Sequence, residues 1–103
     1  MSNTIHYSPQ ALQDLDEIFE YISIEKQNLI VAKNTIHGIN QSISELKTLD
    51  NIGRKLILPT GIETQYRFIR YKNYLVFYRT IETDIFIDRI MYGKIDYMRI
   101  LFV

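Results

Sequence analysis

The sequence predicts an α+β fold: an N-terminal strand, an antiparallel helical hairpin, and an antiparallel sheet that carries both helices on one face. Three observations carry this. Apolar residues recur at helical spacing only in the first half, aromatic and β-branched residues crowd into three short runs in the second, and the densest cluster of chain breakers lies between them. At 103 residues, one core and a single domain over residues 1–103 are expected.

Residues 4–7 suit a short strand, and Ser8-Pro9 supplies an N-cap followed by proline at the first helical position. From there Ala11, Leu12, Leu15, Ile18, Phe19 and Ile22 step at helical spacing, which predicts a helix over 9–23 with Asp14, Asp16, Glu17 and Glu20 on the far face. Asn28 can cap a second helix over 29–49, in which Ala32, Ile36, Ile39, Ile43 and Leu46 form the packing seam. Gly38 inside that helix costs about 1 kcal/mol against alanine, and a close helix crossing is the expected reason. Residues 50–64 hold Gly53, Pro59 and Gly61 and read as a long connection or flap. Strands follow at 65–70, 74–80 and 84–92, joined by short turns as an antiparallel meander. Helices on one face leave the other free for a ligand. The segment 93–103 has no clear pattern.

Hydrophobic residues at 47% and charged residues at 23% place the chain among ordinary globular proteins and exclude a disordered reading. With no cysteine there is no disulfide, thiolate nucleophile or Cys-based zinc site, so the cytoplasm is the expected compartment, with no metal or other cofactor. No apolar run is long enough to span a bilayer, and the first ten residues lack the features of a signal peptide. The zero net charge conceals an asymmetry, because residues 1–50 carry net −4 and residues 51–103 net +4. Such a split suits a polyanion-facing side, or simply solvated strands.

Six of the eight tyrosines and nine of the twelve basic residues fall after Asp50, interleaved as in Tyr66-Arg67-Phe68-Ile69-Arg70-Tyr71-Lys72. Cations neutralise phosphates and rings stack on bases, so the mixture suits nucleic acid, although strands also favour these rings for packing. Alternation puts Leu75, Phe77 and Arg79 on one face and Tyr74, Val76 and Tyr78 on the other. If the second set meets the helices, the first faces the open side beside Arg67 or Arg70, depending on register. His6 and His37 are too few and too separated for a histidine dyad, and no phosphate-cradling loop, nucleophile elbow or Cys/His constellation is present.

Three segments, "S-P-x-A-x-x-D-L" from Ser8, "Y-R-x-x-x-Y-x-N-Y-x-V-x-Y" from Tyr66 and "R-I-x-Y-G-x-x-D-Y" from Arg89, resemble the RelE/ParE toxins of type II toxin–antitoxin systems in order and spacing. The resemblance spans nearly the whole chain and implies the same strand, hairpin and sheet. It also implies growth inhibition, a cognate antitoxin encoded alongside, and contact with operator DNA only through that antitoxin. The family contains RelE-like ribosome-dependent messenger RNA endoribonucleases and ParE-like inhibitors of DNA gyrase. Ribonuclease members resemble this hairpin but carry arginine at the position of Leu75, tend to carry arginine at that of Ile95, and several end in Tyr or His-Tyr where this chain has Leu101-Phe102-Val103. These departures favour the ParE-like side.

Under the ribonuclease reading, activating a ribose hydroxyl and stabilising a phosphorane would fall to Arg67, Arg79, Lys94 and Tyr97. Under the gyrase reading no chemistry is needed, and Arg67, Arg70, Tyr71, Lys72, Arg89 and Arg99 would be target contacts. A bland reading makes Arg67, Arg70 and Arg79 solvated, or paired with Asp84 and Asp88 across the sheet. A third possibility is an inactive module that only binds its antitoxin and regulates its operon.

Overall fold

The computed structural model describes residues 2–94 and 97–102. Strand β1 (Thr4–Tyr7) runs directly into helix α1 (Pro9–Glu20), with the Ser8 hydroxyl accepting from the Ala11 N–H at 3.0 Å and Pro9 at the helix start. α1 passes into a π-helical turn, Tyr21–Glu25, and Gln27 at φ 50° helps reverse the chain. Asn28 then caps α2 (Leu29–Ser44) by accepting from the Val31 N–H, and a 3-10 turn, Glu45–Lys47, prolongs it. Both helices lie within a few residues of the expected bounds.

The sheet is built from β1, β2 (Arg54–Ile57), β3 (Glu63–Tyr71), β4 (Tyr74–Ile81) and β5 (Asp84–Tyr92), in the order β1-β5-β4-β3-β2. β2 to β5 form the antiparallel meander, whereas β1 adds to β5 in parallel. A parallel partner needs a long crossover, and everything from α1 to β4 supplies it. The expected antiparallel sheet is present in β2 to β5, and the N-terminal strand adds one parallel pair to it. The expected flap over 50–64 is also corrected, because Arg54–Ile57 pairs with β3. Its preceding loop is pinned: the buried Tyr78 hydroxyl donates to the Asp50 carbonyl at 2.8 Å and accepts from the Gly53 N–H at 3.1 Å.

Ile18, Ile22, Ala32, Ile39, Ile43 and Leu46 bury the helical stripe against Val76, Tyr78, Ile85, Ile87 and Ile90 of the sheet. The opposite face is not free. Leu56, Leu75, Phe77 and Met91 are buried there with Tyr97, Met98 and Leu101 of a short helix α3 (Tyr97–Leu101) packed on them. Asp14, expected on the solvent face of α1, is only 6% exposed.

Gly38 also has a different partner from the one expected. A Cβ there would lie 2.1 Å from the ring end of Tyr71 on β3, so the residue makes room for a strand aromatic rather than for another helix. In a free helix Gly→Ala stabilises by about 1 kcal/mol. Here Gly38→Ala is expected to destabilise by about 1–2 kcal/mol, because the Tyr71 ring must leave its packing. In a Tyr71→Ala background the same change is expected to become stabilising. Denaturant melts of the four proteins check this reversal of sign.

Candidate functional site

Two consequences of β-sheet register decide where the cations lie. Arg67 stands opposite Tyr78 and Arg70 opposite Leu75. Arg67 therefore shares the helix-side face of Tyr78, where it donates to the Gly53 carbonyl at 2.8 Å, while Arg70 sits exposed on the α3 side. Arg67 and Arg79, two of the four catalytic candidates of the ribonuclease reading, are thus on opposite faces.

A bulge in β5 positions the next pair. The ladder steps from Phe77↔Arg89 to Tyr78↔Ile87, so Asp88 is an extra residue. This sends Asp88 toward Arg79 and Arg89 toward α1. Arg79 donates to both Asp88 oxygens, at 2.5 and 3.3 Å, and lies 5.4 Å over the Phe86 ring. The hydrogen bond to Asp88 raises the Arg79 pKa. Burial, followed by the Asp88 charge and its hydrogen bond, raises that of the Tyr66 phenol. Beyond Phe86, the His6 ring stacks at 5.1 Å with its Nε2 2.8 Å from Asp84. On the other side, Arg89 makes a bidentate pair with Asp14 at 2.9 Å, and the Ile90 N–H adds a third bond to that carboxylate at 2.8 Å. The hydrogen bond to Asp14 raises the Arg89 pKa. This pair borders a groove of about 780 Å³ that also takes in Tyr21, Val31, Tyr74 and Tyr92.

The remaining candidates divide into packed and exposed. Tyr71 is half-buried over Gly38, and the Tyr97 ring rests 5.0 Å from that of Phe77. Lys72, at φ 52° in the tight β3–β4 turn, Lys94 after β5, and Arg99 on α3 are exposed. The Gly93 N–H donates to the Asn73 carbonyl at 2.7 Å, which brings the Lys72 turn and Lys94 to the same end of the sheet. Ile95 and Val103, two positions of departure from the ribonuclease pattern, lie outside the described residues. Sequence reading missed Asp14 and Tyr66 as partners, whereas Asp88 was a possible partner for Arg79 across the sheet and does pair with it. Asp14 had a signal, since it falls three residues after Ala11 and four before Ile18, on the buried stripe.

Chemically, the arrangement offers the exposed cations Arg70, Lys72, Lys94 and Arg99 beside an apolar, filled sheet face. Among the described residues no group of three or more His, Cys, Asp or Glu could hold a metal ion, and no helix is long and apolar enough to cross a membrane.

A family model described as the ParE toxin of the type II toxin–antitoxin system parDE matches residues 5–97. Among solved structures, a chain from the chromosomal ParDE toxin–antitoxin system of P. aeruginosa is similar at TM-score 0.74 and 19% identity, over 90% of this chain and 98% of that one. A chain of the toxin–antitoxin complex RelBE2 from Mycobacterium tuberculosis is similar at TM-score 0.57 and 15% identity, over 89% of this chain and 99% of that one. A comparison with curated protein sequences finds no match.

Proposed function

The chain belongs to the ParE toxin family of type II toxin–antitoxin systems, and from that membership we propose that it arrests bacterial growth from the cytoplasm by binding DNA gyrase. A cognate antitoxin neutralises it and mediates any contact with operator DNA. The observation that carries the gyrase reading is the filled α3-side face. Leu75, Phe77 and Met91 occupy it at 3%, 0% and 4% exposure. Arg79, the cation nearest to it on β4, is neutralised by Asp88. A phosphorane needs an unpaired cation and a proton-transfer group converging on one point. Arg67 lies across the sheet, and Tyr97 is packed on Phe77. A target-holding toxin needs only a surface, and Arg70, Lys72, Lys94 and Arg99 supply exposed cations for one.

Induced expression is expected to stop growth with gyrase-dependent DNA breaks and a DNA-damage response, and to leave translated messages intact. Co-expression of the antitoxin is expected to restore growth. Prompt codon-linked message cuts without DNA breaks would overturn the gyrase assignment. Arg67→Ala, Arg79→Ala, Lys94→Ala and Tyr97→Phe, assayed singly, would then identify the cleaving groups. Normal growth at high levels of soluble protein would leave the inactive antitoxin-binding module as the reading.

A further inference from the structure

The charges that cancel in the total are sorted by place. β3 and β4 meet at the Lys72 turn and β5 ends beside it, so Arg70, Lys72 and Lys94 share one end of the sheet. The opposite end, where β3 starts and β4 turns into β5, holds Glu63, Glu82 and Asp84, with Lys55 tied to Glu63 at 3.5 Å. The two tight turns repeat the contrast at one backbone conformation, with Lys72 at φ 52° in the first and Glu82 at φ 55° in the second. Charges sort by layer as well. α1, on the helix side, carries Asp14, Asp16, Glu17 and Glu20 and no Lys or Arg, whereas Arg70 and Arg99 stand on the α3 side. A chain of zero net charge therefore presents one cationic corner, and a polyanion would approach it in that orientation.

The corner is built for charge rather than for apolar contact. Arg70, Lys72, Lys94 and Arg99 are exposed, and none of them is in an ion pair among the described residues. The nearest carboxylate on that strand face, Asp88, is taken by Arg79. Leu75, Phe77 and Met91 are already buried under α3, so the strand face offers no apolar centre of the kind that anchors a protein partner. The neighbouring rings are occupied too: Tyr71 lies over Gly38 and Tyr97 on Phe77, which leaves no free platform for stacking splayed bases. Cations without open rings fit a backbone of phosphates, and Asn73, exposed in the same turn, adds a neutral donor of the kind that also contacts them.

We propose that this corner binds the phosphate backbone of duplex DNA, and that through it the toxin grips DNA held by gyrase, without reading its sequence. The second clause rests on the gyrase reading above, which brings duplex DNA to wherever the toxin docks.

Fluorescence anisotropy of the full chain with a labelled duplex of about 20 base pairs tests the site, since each phosphate neutralised contributes about −0.9 to the slope of log affinity against log salt. Four contacts predict a slope of about −3 to −4, an affinity loss of about 100-fold between about 50 and 200 mM salt, and equal binding of unrelated sequences. Arg70→Ala, Lys72→Ala, Lys94→Ala and Arg99→Ala are each expected to flatten the slope by about 1, with unchanged melting temperatures. Lys47→Ala, exposed on the 3-10 turn after α2, is expected to leave it as it was. In a second arm, the chain is expected to bind gyrase holding duplex DNA at least about tenfold more tightly than gyrase free of DNA, and Lys72→Ala with Lys94→Ala to remove that difference alone. Duplex binding that is absent at low salt, or indifferent to the four variants, would overturn the site. Variants that weaken binding to DNA-free gyrase as much as to the DNA-bound form would make an acidic protein surface the partner and overturn the proposal. Salt-dependent duplex binding with no retention on either form of gyrase would keep the phosphate site and remove the gyrase reading beneath its second clause.

Discussion

Arg89→Ala is expected to cost about 3–5 kcal/mol of folding stability, and Asp14→Ala about 3 kcal/mol, because each leaves the other's charge behind. Asp14 is 6% exposed, and its carboxylate accepts from two Arg89 nitrogens and from the Ile90 N–H. Removing Arg89 leaves a buried anion with a single backbone donor. Removing Asp14 orphans the Ile90 N–H and leaves a guanidinium whose side chain is 26% exposed, so water recovers part of that loss. A chain of this size has about 5–15 kcal/mol in total, and the Arg89 variant should melt on the order of 15–20 °C lower. The double variant should cost less than the sum of the singles, since the charges disappear together. The consequence reaches function. Arg89 was a candidate target contact from sequence, yet the bulge at Asp88 turns it toward α1. If Arg89→Ala kept the parent melting temperature and lost only target binding, this structural role would be wrong.

The elements that follow from local rules were legible before the structure. Ser8-Pro9 and Asn28 mark helix starts because capping is a matter of one side chain and the next three residues. The alternation of β4 was equally plain, and Val76 and Tyr78 do meet the helices while Leu75 and Phe77 face away. What sequence left open depended on register and on distant partners. Nothing near Arg67 in sequence says that it faces with Tyr78 rather than with Leu75, and that single step separates it from Arg79. β2 was hidden because a four-residue edge strand between Gly53 and Pro59 resembles a loop until β3 lies beside it. Gly38 was recognised as needing a neighbour, but the neighbour, Tyr71, is 33 positions away along the chain. The cations were legible as a set and not as a site. Two of them, Arg79 and Arg89, are tied to Asp88 and Asp14, which were read as a possible pairing partner and as a solvent-facing residue.

Leu75→Arg is the change that sequence likeness alone would suggest to recover the ribonuclease pattern, and it is expected to destabilise the protein by more than about 3 kcal/mol without creating cleavage. Were the α3 side of the sheet an open active face, an arginine there would be solvated and nearly neutral, within about 0.5 kcal/mol. Leu75 is instead 3% exposed, packed with Phe77 and Met91 and 3.6 Å from where a Cβ on Gly93 would stand. Among the described residues, the two carboxylates tied to arginines are already taken, Asp88 by Arg79 and Asp14 by Arg89. A guanidinium at that point can reach water only by lifting α3 from the sheet, along the path a long cationic side chain takes when it snorkels. The variant should therefore show two linked changes: a lower denaturation midpoint, and faster proteolysis near Tyr97 and Arg99 than in the parent. Message cleavage should remain absent, since Arg67 stays across the sheet. A Leu75→Arg protein of parent stability with α3 still protected would mean that this face accommodates a cation as it stands, and the filled-face basis for the gyrase reading would fall with it.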